Sequence, residues 1–333
     1  MKLPIRVTIA TVFALFTAVS ISTVTGVNFF GGRAIVLDTA KEEIAKSATS
    51  AQESIDALVG RAFMSAETVA AMPQQMFYWQ APDALLSALT VGLRNNRELY
   101  GIFIGFPDGA FVQAINLRGS DGVRRKVAGM PDAAAMAWRV MDPMPENAPR
   151  PAHWRYFDDS GDEIRGAGSA HTEPSSYDPR KRPWFLKAQA EKKATVSDVY
   201  VFQSLNKPGL TVSQPLRGMP SAVVGVDLSL SDLARLAKRL RPGANGVFAV
   251  TDDKSRVIAF SGDTTILKKD VADKGVELKL LGELSDSRLA RTAMAANAKE
   301  RAESSFALDD KVHLGFQRPA SKSGRVAWNV VSI

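Results

Sequence analysis

YDPRKRPWF (residues 177–185), SDVYVF (197–202), PGLTVSQPL (208–216) and VVGVDLSL (223–230) follow one another within about fifty residues. They predict a turn running into a short helix and then strands, with one arginine, several aromatic rings and one acid around a small space. Arg182 can hold a carboxylate with two parallel bonds, a geometry lysine cannot copy. Asp227 lies in an apolar strand, where an acid is costly unless a cation or several donors meet it. A ligand ammonium would serve, and Trp184, Phe185 and Tyr200 would add cation–π contact to it. Each residue also has a structural reading. Arg182 can pair with Asp178 or Asp198, Trp184 and Phe185 can be core, Tyr177 can brace the proline turn, and Asp227 can cap the next helix. Taken jointly, they point to a site for a small polar ligand (an amino acid, amine or carboxylate).

Upstream of this stretch the pattern is strand-like. GIFIGFPDGAFVQAINLRG (101–119) reads as a β-hairpin turning at Pro107-Asp108-Gly109. A helix is expected over 133–140, and WRYFDDSGD (154–162) opens a second strand–turn–strand. Asp158 to Asp162 begin like a calcium loop but lack the closing glutamate, so they are read as a turn. Downstream, a helix over 231–240 is expected to be capped by Ser231 and ended by Pro242-Gly243. GVFAVTDDKSRVIA (246–259) restarts with strand, turn, strand, followed by a helix over 285–302 and two more strands. The chain stops at Ile333 within an apolar run, which reads as part of a longer protein.

The N-terminus is of another kind. Residues 7–30 carry no charge over 24 positions, enough to cross a bilayer as a helix. Lys2 and Arg6 precede them, so the amino terminus is expected in the cytoplasm of an inner-membrane protein, with everything after about residue 31 in the periplasm. A cleaved signal peptide would have a shorter apolar run, so a retained anchor is expected. Beyond Gly31-Gly32, Ile44, Ala48, Ala51, Ile55, Leu58 and Ala62 are spaced 4, 3, 4, 3 and 4. That seam fits either an amphipathic helix packed on its own domain or a stalk pairing with a second copy; a homodimer through this helix is expected. A second helix is expected over 82–95.

Composition narrows the function. The 333 residues are 45% hydrophobic and 23% charged, with room for about two domains. There is no cysteine, hence no disulfide, thiolate metal site or cysteine nucleophile. The net charge of +7 is scattered, its densest cluster (Arg180, Lys181, Arg182) lying inside the motif above, so nucleic acid is not an expected partner. His153, His171 and His313 lack metal-ligand spacing. No phosphate loop or serine elbow occurs. No cofactor, metal or catalytic residue is expected within the chain.

The sequence of elements resembles the double Cache sensor domains of bacterial transmembrane receptors. GIFIGFPDGAFVQAINLRG, WRYFDDSGD, YDPRKRPWF, SDVYVF, PGLTVSQPL, VVGVDLSLSDL and GVFAVTDDKSRVIA carry the resemblance across about residues 30–333. GFPDG and WRYFDDSGD look most like the sensor regions of membrane-bound class III adenylate or guanylate cyclases and related HD-type phosphodiesterases. The resemblance implies an α+β fold, a long N-terminal helix carrying two PAS-like modules with antiparallel sheets. It divides the chain into a cytoplasmic start and anchor (1–31), stalk and second helix (32–98), a membrane-distal module with the ligand site (99–243) and a membrane-proximal module (244–333). Some members bind amino acids through a tyrosine, an arginine, a tryptophan–tyrosine pair, a further tyrosine and a late-strand aspartate. Tyr177, Arg182, Trp184, Phe185, Tyr200 and Asp227 stand in that order here. Phe185 departs from the pattern, lacking a hydroxyl. The function implied is extracytoplasmic sensing of a small polar ligand, with a nucleotide cyclase as one output beyond residue 333; the alternative is a ligand-free structural or dimerisation module.

Overall fold

The computed structural model describes residues 5–77, 81–118, 130–144, 149–166, 170–203, 207–243, 245–269, 277–295, 302–308 and 311–333. A single helix, α1 (Ile5–Ala70), runs for 66 residues, on the order of 100 Å at 1.5 Å per residue. Gly31 and Gly32 lie inside it without ending it. Its first part is apolar and exposed, with Phe13, Phe16, Phe29 and Phe30 all open, and is long and apolar enough to cross a membrane. Further along, Ala48, Ala51, Ile55, Leu58 and Ala62 are buried in the chain's own core. The 4-3-4-3-4 seam is thus spent on the protein's own sheets, the alanines letting α1 lie close against them. A second copy would have to meet α1 on another face.

Two antiparallel sheets hang from α1. The larger contains β1 (Gly101–Gly105), β2 (Phe111–Asn116), β3 (Met136–Met141), β4 (Arg150–Phe157), β5 (Ala170–Ser175), β6 (Thr195–Val196), β7 (Tyr200–Phe202), β8 (Lys207–Pro215) and β9 (Val223–Ser229). Their order is β5-β4-β3-β2-β1-β9-β8-β6, with β7 also pairing β8. The smaller sheet, in the order β11-β10-β16-β15-β14, uses β10 (Phe248–Thr251), β11 (Val257–Phe260), β14 (Ala302–Leu308), β15 (Lys311–Pro319) and β16 (Asn329–Ser332). β12 (Leu267–Lys269) and β13 (Glu277–Leu278) form a separate ribbon. This is an α+β fold, a long helix carrying two PAS-like modules. The smaller sheet sits nearer the apolar start of α1. Gln52 donates to the Pro319 carbonyl at 2.6 Å and Asp56 accepts from Ser321 at 2.7 Å. At the far end the Ala70 carbonyl accepts from Arg217, the residue that follows Leu216 beyond β8.

Alternation along the strands divides the larger sheet's two faces. Ile102, Ile104, Val112, Ala114, Trp138, Val224 and Val226 share one core with α1 and with α2 (Asp83–Asn95). Trp138 also donates its indole N–H to Thr90 of α2 at 2.7 Å. The residues between them face the other way. In one row across the sheet, Gly225 pairs with Phe103, Phe103 with Gln113, Gln113 with Arg139 and Arg139 with Trp154.

Three local expectations need correction. Residues 133–140 are not helical: the alanines favour a helix, but pairing on both sides makes Met136–Met141 a central strand. The helix expected to reach residue 302 is α5 (Ser287–Ala295), and Ala302 already opens β14. The cap of α4 (Leu230–Arg239) is Ser229, not Ser231, its hydroxyl accepting from the Asp232 amide. The turn after β4 forms as expected. Asp158 accepts from the amides of Gly161 and Asp162, both at 2.9 Å, with Gly161 at φ +93°.

Candidate ligand-binding site

The turn that follows β5 is fixed before any ligand arrives. Asp178 caps a short 3-10 turn (Pro179–Lys181), accepting from the Arg180 amide and, through both oxygens, from its guanidinium at 3.0 Å. Buried Arg150 donates from β4 to the carbonyls of Gly109, Asp142 and Tyr177, tying the turn to the β1–β2 hairpin. Pro183 then starts α3 (Pro183–Glu191), as its fixed φ allows. This helix lies so close to β1 that a Cβ on Gly105 would fall 2.8 Å from both Pro179 and Trp184. Glycine is required there by close approach.

Between this turn and the sheet lies a cavity whose free space is about 20 Å³, roughly that of one water. Tyr177, Arg182, Tyr200 and Asp227 all line it, with Phe103, Phe111, Gln113 and Arg139. The Arg182 guanidinium sits 5.6 Å from the Tyr177 ring centre and 5.3 Å from that of Tyr200. One of its nitrogens donates to the Val201 carbonyl at 3.0 Å, while Nε is buried without a partner. Neither rival partner engages it. Asp178 is committed to Arg180, and Asp198 to Arg256 at 3.1 Å.

Asp227 is 3% exposed, paired with Thr211 of β8 and with Gly101 at the start of β1. Thr211 donates to its carboxyl at 2.5 Å, and the Tyr200 hydroxyl lies 2.6 Å from Thr211 Oγ1. Threonine has one proton to give, so Tyr200 donates to Thr211 in turn. Burial pushes the Asp227 carboxyl well above the usual carboxylate range, and the Thr211 bond and Arg182 only partly oppose it. Burial likewise pushes the Tyr177 phenol up to about 12, and Tyr200 well above its ordinary value. An acid in this position gains from a cation placed beside it, since desolvation penalises the lone charge.

Trp184 and Phe185 stand elsewhere. Both are buried in a cluster with Phe103, Phe111, Ala188 and Val223, under α3 and beside the cavity rather than on its wall. Trp184 is edge-on to Phe103 at 4.9 Å, and its indole nitrogen has no partner of hydrogen-bond geometry. Phe103 reaches over the sheet because Gly225 faces it; a Cβ there would lie 2.2 Å from the ring. Six lining residues escape the motif reading: the rings of Phe103, Phe111 and Phe202, and the polar Gln113, Arg139 and Gln203. Treating residues 136–141 as a strand would have found Arg139, because alternation and register put it in the same row as Phe103 and Gly225.

Comparison with known proteins agrees with this fold. Residues 122–235 match the methyl-accepting chemotaxis protein-like family, first PDC sensor domain. Adenylate cyclase 1 of Rhizobium meliloti is 28% identical over 238 residues, 68% of this chain and 35% of that protein. The chemotaxis protein PctB of Pseudomonas aeruginosa is 29% identical over 97 residues, 28% of this chain and 15% of that protein. The matches therefore span about a third or less of the full length of these relatives. Among solved structures, the ligand-binding domain of PctB in complex with L-Arg superposes with a TM-score of 0.52 at 15% identity, covering 88% of this chain and 87% of that one. That of the Pseudomonas fluorescens chemoreceptor CtaA in complex with L-isoleucine gives 0.50 at 16%, covering 91% and 96%. The two-module fold is the one that these solved chemoreceptor ligand-binding domains share, and residues 122–235 are similar to the first PDC sensor domain of methyl-accepting chemotaxis proteins.

Proposed function

We propose that the larger module is the ligand-binding half of an extracytoplasmic sensor, and that its cavity takes a small zwitterion of the amino-acid kind. The observation that carries this is the meeting of Arg182 and Asp227 on one cavity, the arginine with a buried unpartnered Nε and the acid, among the described residues, with no cation bonded to it. Arg182 would hold the carboxylate and Asp227 the ammonium, with Tyr177 and Tyr200 as walls. Two receptors of the same fold have been solved with amino acids bound, which is consistent with that chemistry. Trp184 and Phe185 would act as the floor that positions the turn.

In this reading residues 1–31 start in the cytoplasm and anchor the chain in the inner membrane. Residues 32–98 form the stalk and second helix, 99–243 the module far from the membrane and 244–333 the one near it, with all residues after about 31 in the periplasm. A homodimer would form through an open face of α1. The parent protein's output is proposed to be nucleotide cyclisation, because the similarity to an adenylate cyclase extends over 68% of this chain. Cyclic nucleotide formed by the parent protein with and without an amino acid supply would test that output.

The site itself is tested by isothermal titration of the full chain, in detergent, against single amino acids, amines and carboxylates. Arg182→Lys and Asp227→Asn should each weaken amino-acid binding by about 30-fold or more, as loss of a desolvated charged contact does. Cooperative melting should persist in both. If no small zwitterion, amine or carboxylate binds or raises the melting temperature, the ligand-free structural reading replaces this one.

A further inference from the structure

The cavity holds a second arginine that a simple zwitterion would not use. Arg139 comes from the middle of β3 and is 5% exposed. Its ring neighbours are Trp154, 5.0 Å from the guanidinium carbon, and Tyr177 at 5.9 Å. The polar contacts around it are long: Ser175 Oγ at 3.5 Å and the Glu173 carboxylate at 3.8 Å, on the edge strand β5. Its Nε is buried with no partner. Burial lowers its pKa to about 10, still leaving it a cation at neutral pH. A buried guanidinium with loose partners is costly, because its donors have left water without full replacement.

The Tyr177 ring stands between two such guanidiniums, 5.9 Å from Arg139 and 5.6 Å from Arg182. Asp227 is the one acid among the residues lining the cavity. Within the lining two cations therefore face one acid, and among the described residues the only other carboxylate near Arg139 is Glu173, a loose 3.8 Å away and outside the lining. A zwitterion with a neutral side chain would satisfy Arg182 and Asp227 and leave Arg139 as it is. The amide of Gln113, paired with Arg139 in the strand register, adds a neutral donor and acceptor beside it.

We infer that the ligand carries a second anionic group and that Arg139 receives it: the sensor is built for an amino acid with an acidic side chain. This rests on the proposal that Arg182 and Asp227 bind the amino-acid core. The free space of about 20 Å³ is smaller than any amino acid, so a bound ligand would have to displace side chains that now fill the cavity.

The experiment is a titration of the full chain, in detergent, with L-aspartate and L-glutamate against L-asparagine and L-glutamine at fixed pH and ionic strength. These pairs match in size and differ in one charge. The acids should bind at least about tenfold more tightly than their amides, a gap of about 1.4 kcal/mol. In Arg139→Gln the acids should bind no more tightly than the amides do, and Arg139→Lys should keep part of the preference. The comparison of acid with amide in the unaltered chain decides the matter even if Arg139→Gln fails to fold. Amides or other neutral amino acids binding as well as the acids would overturn the role of Arg139 and leave the zwitterion site standing. Failure of every amino acid to bind would overturn both.

Discussion

A buried carboxyl with no bound cation is the most consequential group in the chain, because its protonation is linked to folding. The folded-state pKa of Asp227 is raised above the unfolded value of 3.8 by burial. The folded protein therefore holds a proton that the unfolded chain releases. The stabilising contribution is complete below about 3.8 and fades as pH rises toward the folded pKa. Asp227→Asn removes the titration, so the variant should gain on the wild type as pH rises from 4 to 8 without ligand. The slope is at most about 1.4 kcal/mol per pH unit. Thermal melts across that range check it, and a gap that stays constant with pH would refute the buried-acid account. An ammonium ligand would reverse the preference, so binding below the folded-state pKa should release a proton, measurable as a buffer-dependent enthalpy. At this scale the sequence was legible where chemistry is unusual: an aspartate in VVGVDLSL and an arginine between prolines both reach the cavity. Arg139 was not, because MAWRVM follows a run of alanines and only strand pairing decides which way its side chains point.

Elements were legible in proportion to how local their determinants are. The β1–β2 hairpin follows from Pro107, Asp108 and Gly109, where Gly109 takes φ +88° and Asp108 accepts from the Ala110 amide at 2.9 Å. β3 depends on pairing with strands on both sides, from Phe111–Asn116 and Ala152–Phe157, and intrinsic preference misassigns it. The turn carrying Arg182 shows how one side chain can organise an element. Arg150→Met would leave the carbonyls of Gly109, Asp142 and Tyr177 without their buried donor. A loss of about 3 kcal/mol is expected, since an unmet buried acceptor costs on the order of 1–3 kcal/mol. Arg118→Ala, which breaks an ion pair with the largely exposed Asp159, should cost under about 1 kcal/mol. Denaturant melts of the two variants separate these cases, and equal losses would contradict the anchoring role of Arg150.

Over the whole molecule, the apolar run before residue 31 and the two sheets after residue 100 set the expected topology. Reporter fusions after residue 100 should be active only with an extracytoplasmic reporter; activity of a cytoplasmic one would reverse the orientation. The surprise at this scale is α1. A glycine pair normally marks a break, yet the helix runs through Gly31 and Gly32, and a Cβ at either would meet nothing within 4 Å. Each glycine weakens a helix interior by about 1 kcal/mol relative to alanine. Beyond them, α1 is fastened to both modules through Gln52, Asp56 and the Ala70 carbonyl. Movement of one module against the other must therefore slide or turn the rod. Gly31→Ala with Gly32→Ala should change the size of the response in cells while leaving the ligand affinity of the purified chain as it was. Equal response amplitudes would show the pair to be inert. If the amplitude moves, the gain of the receptor is set by a compliant joint that touches neither the signal nor the reply.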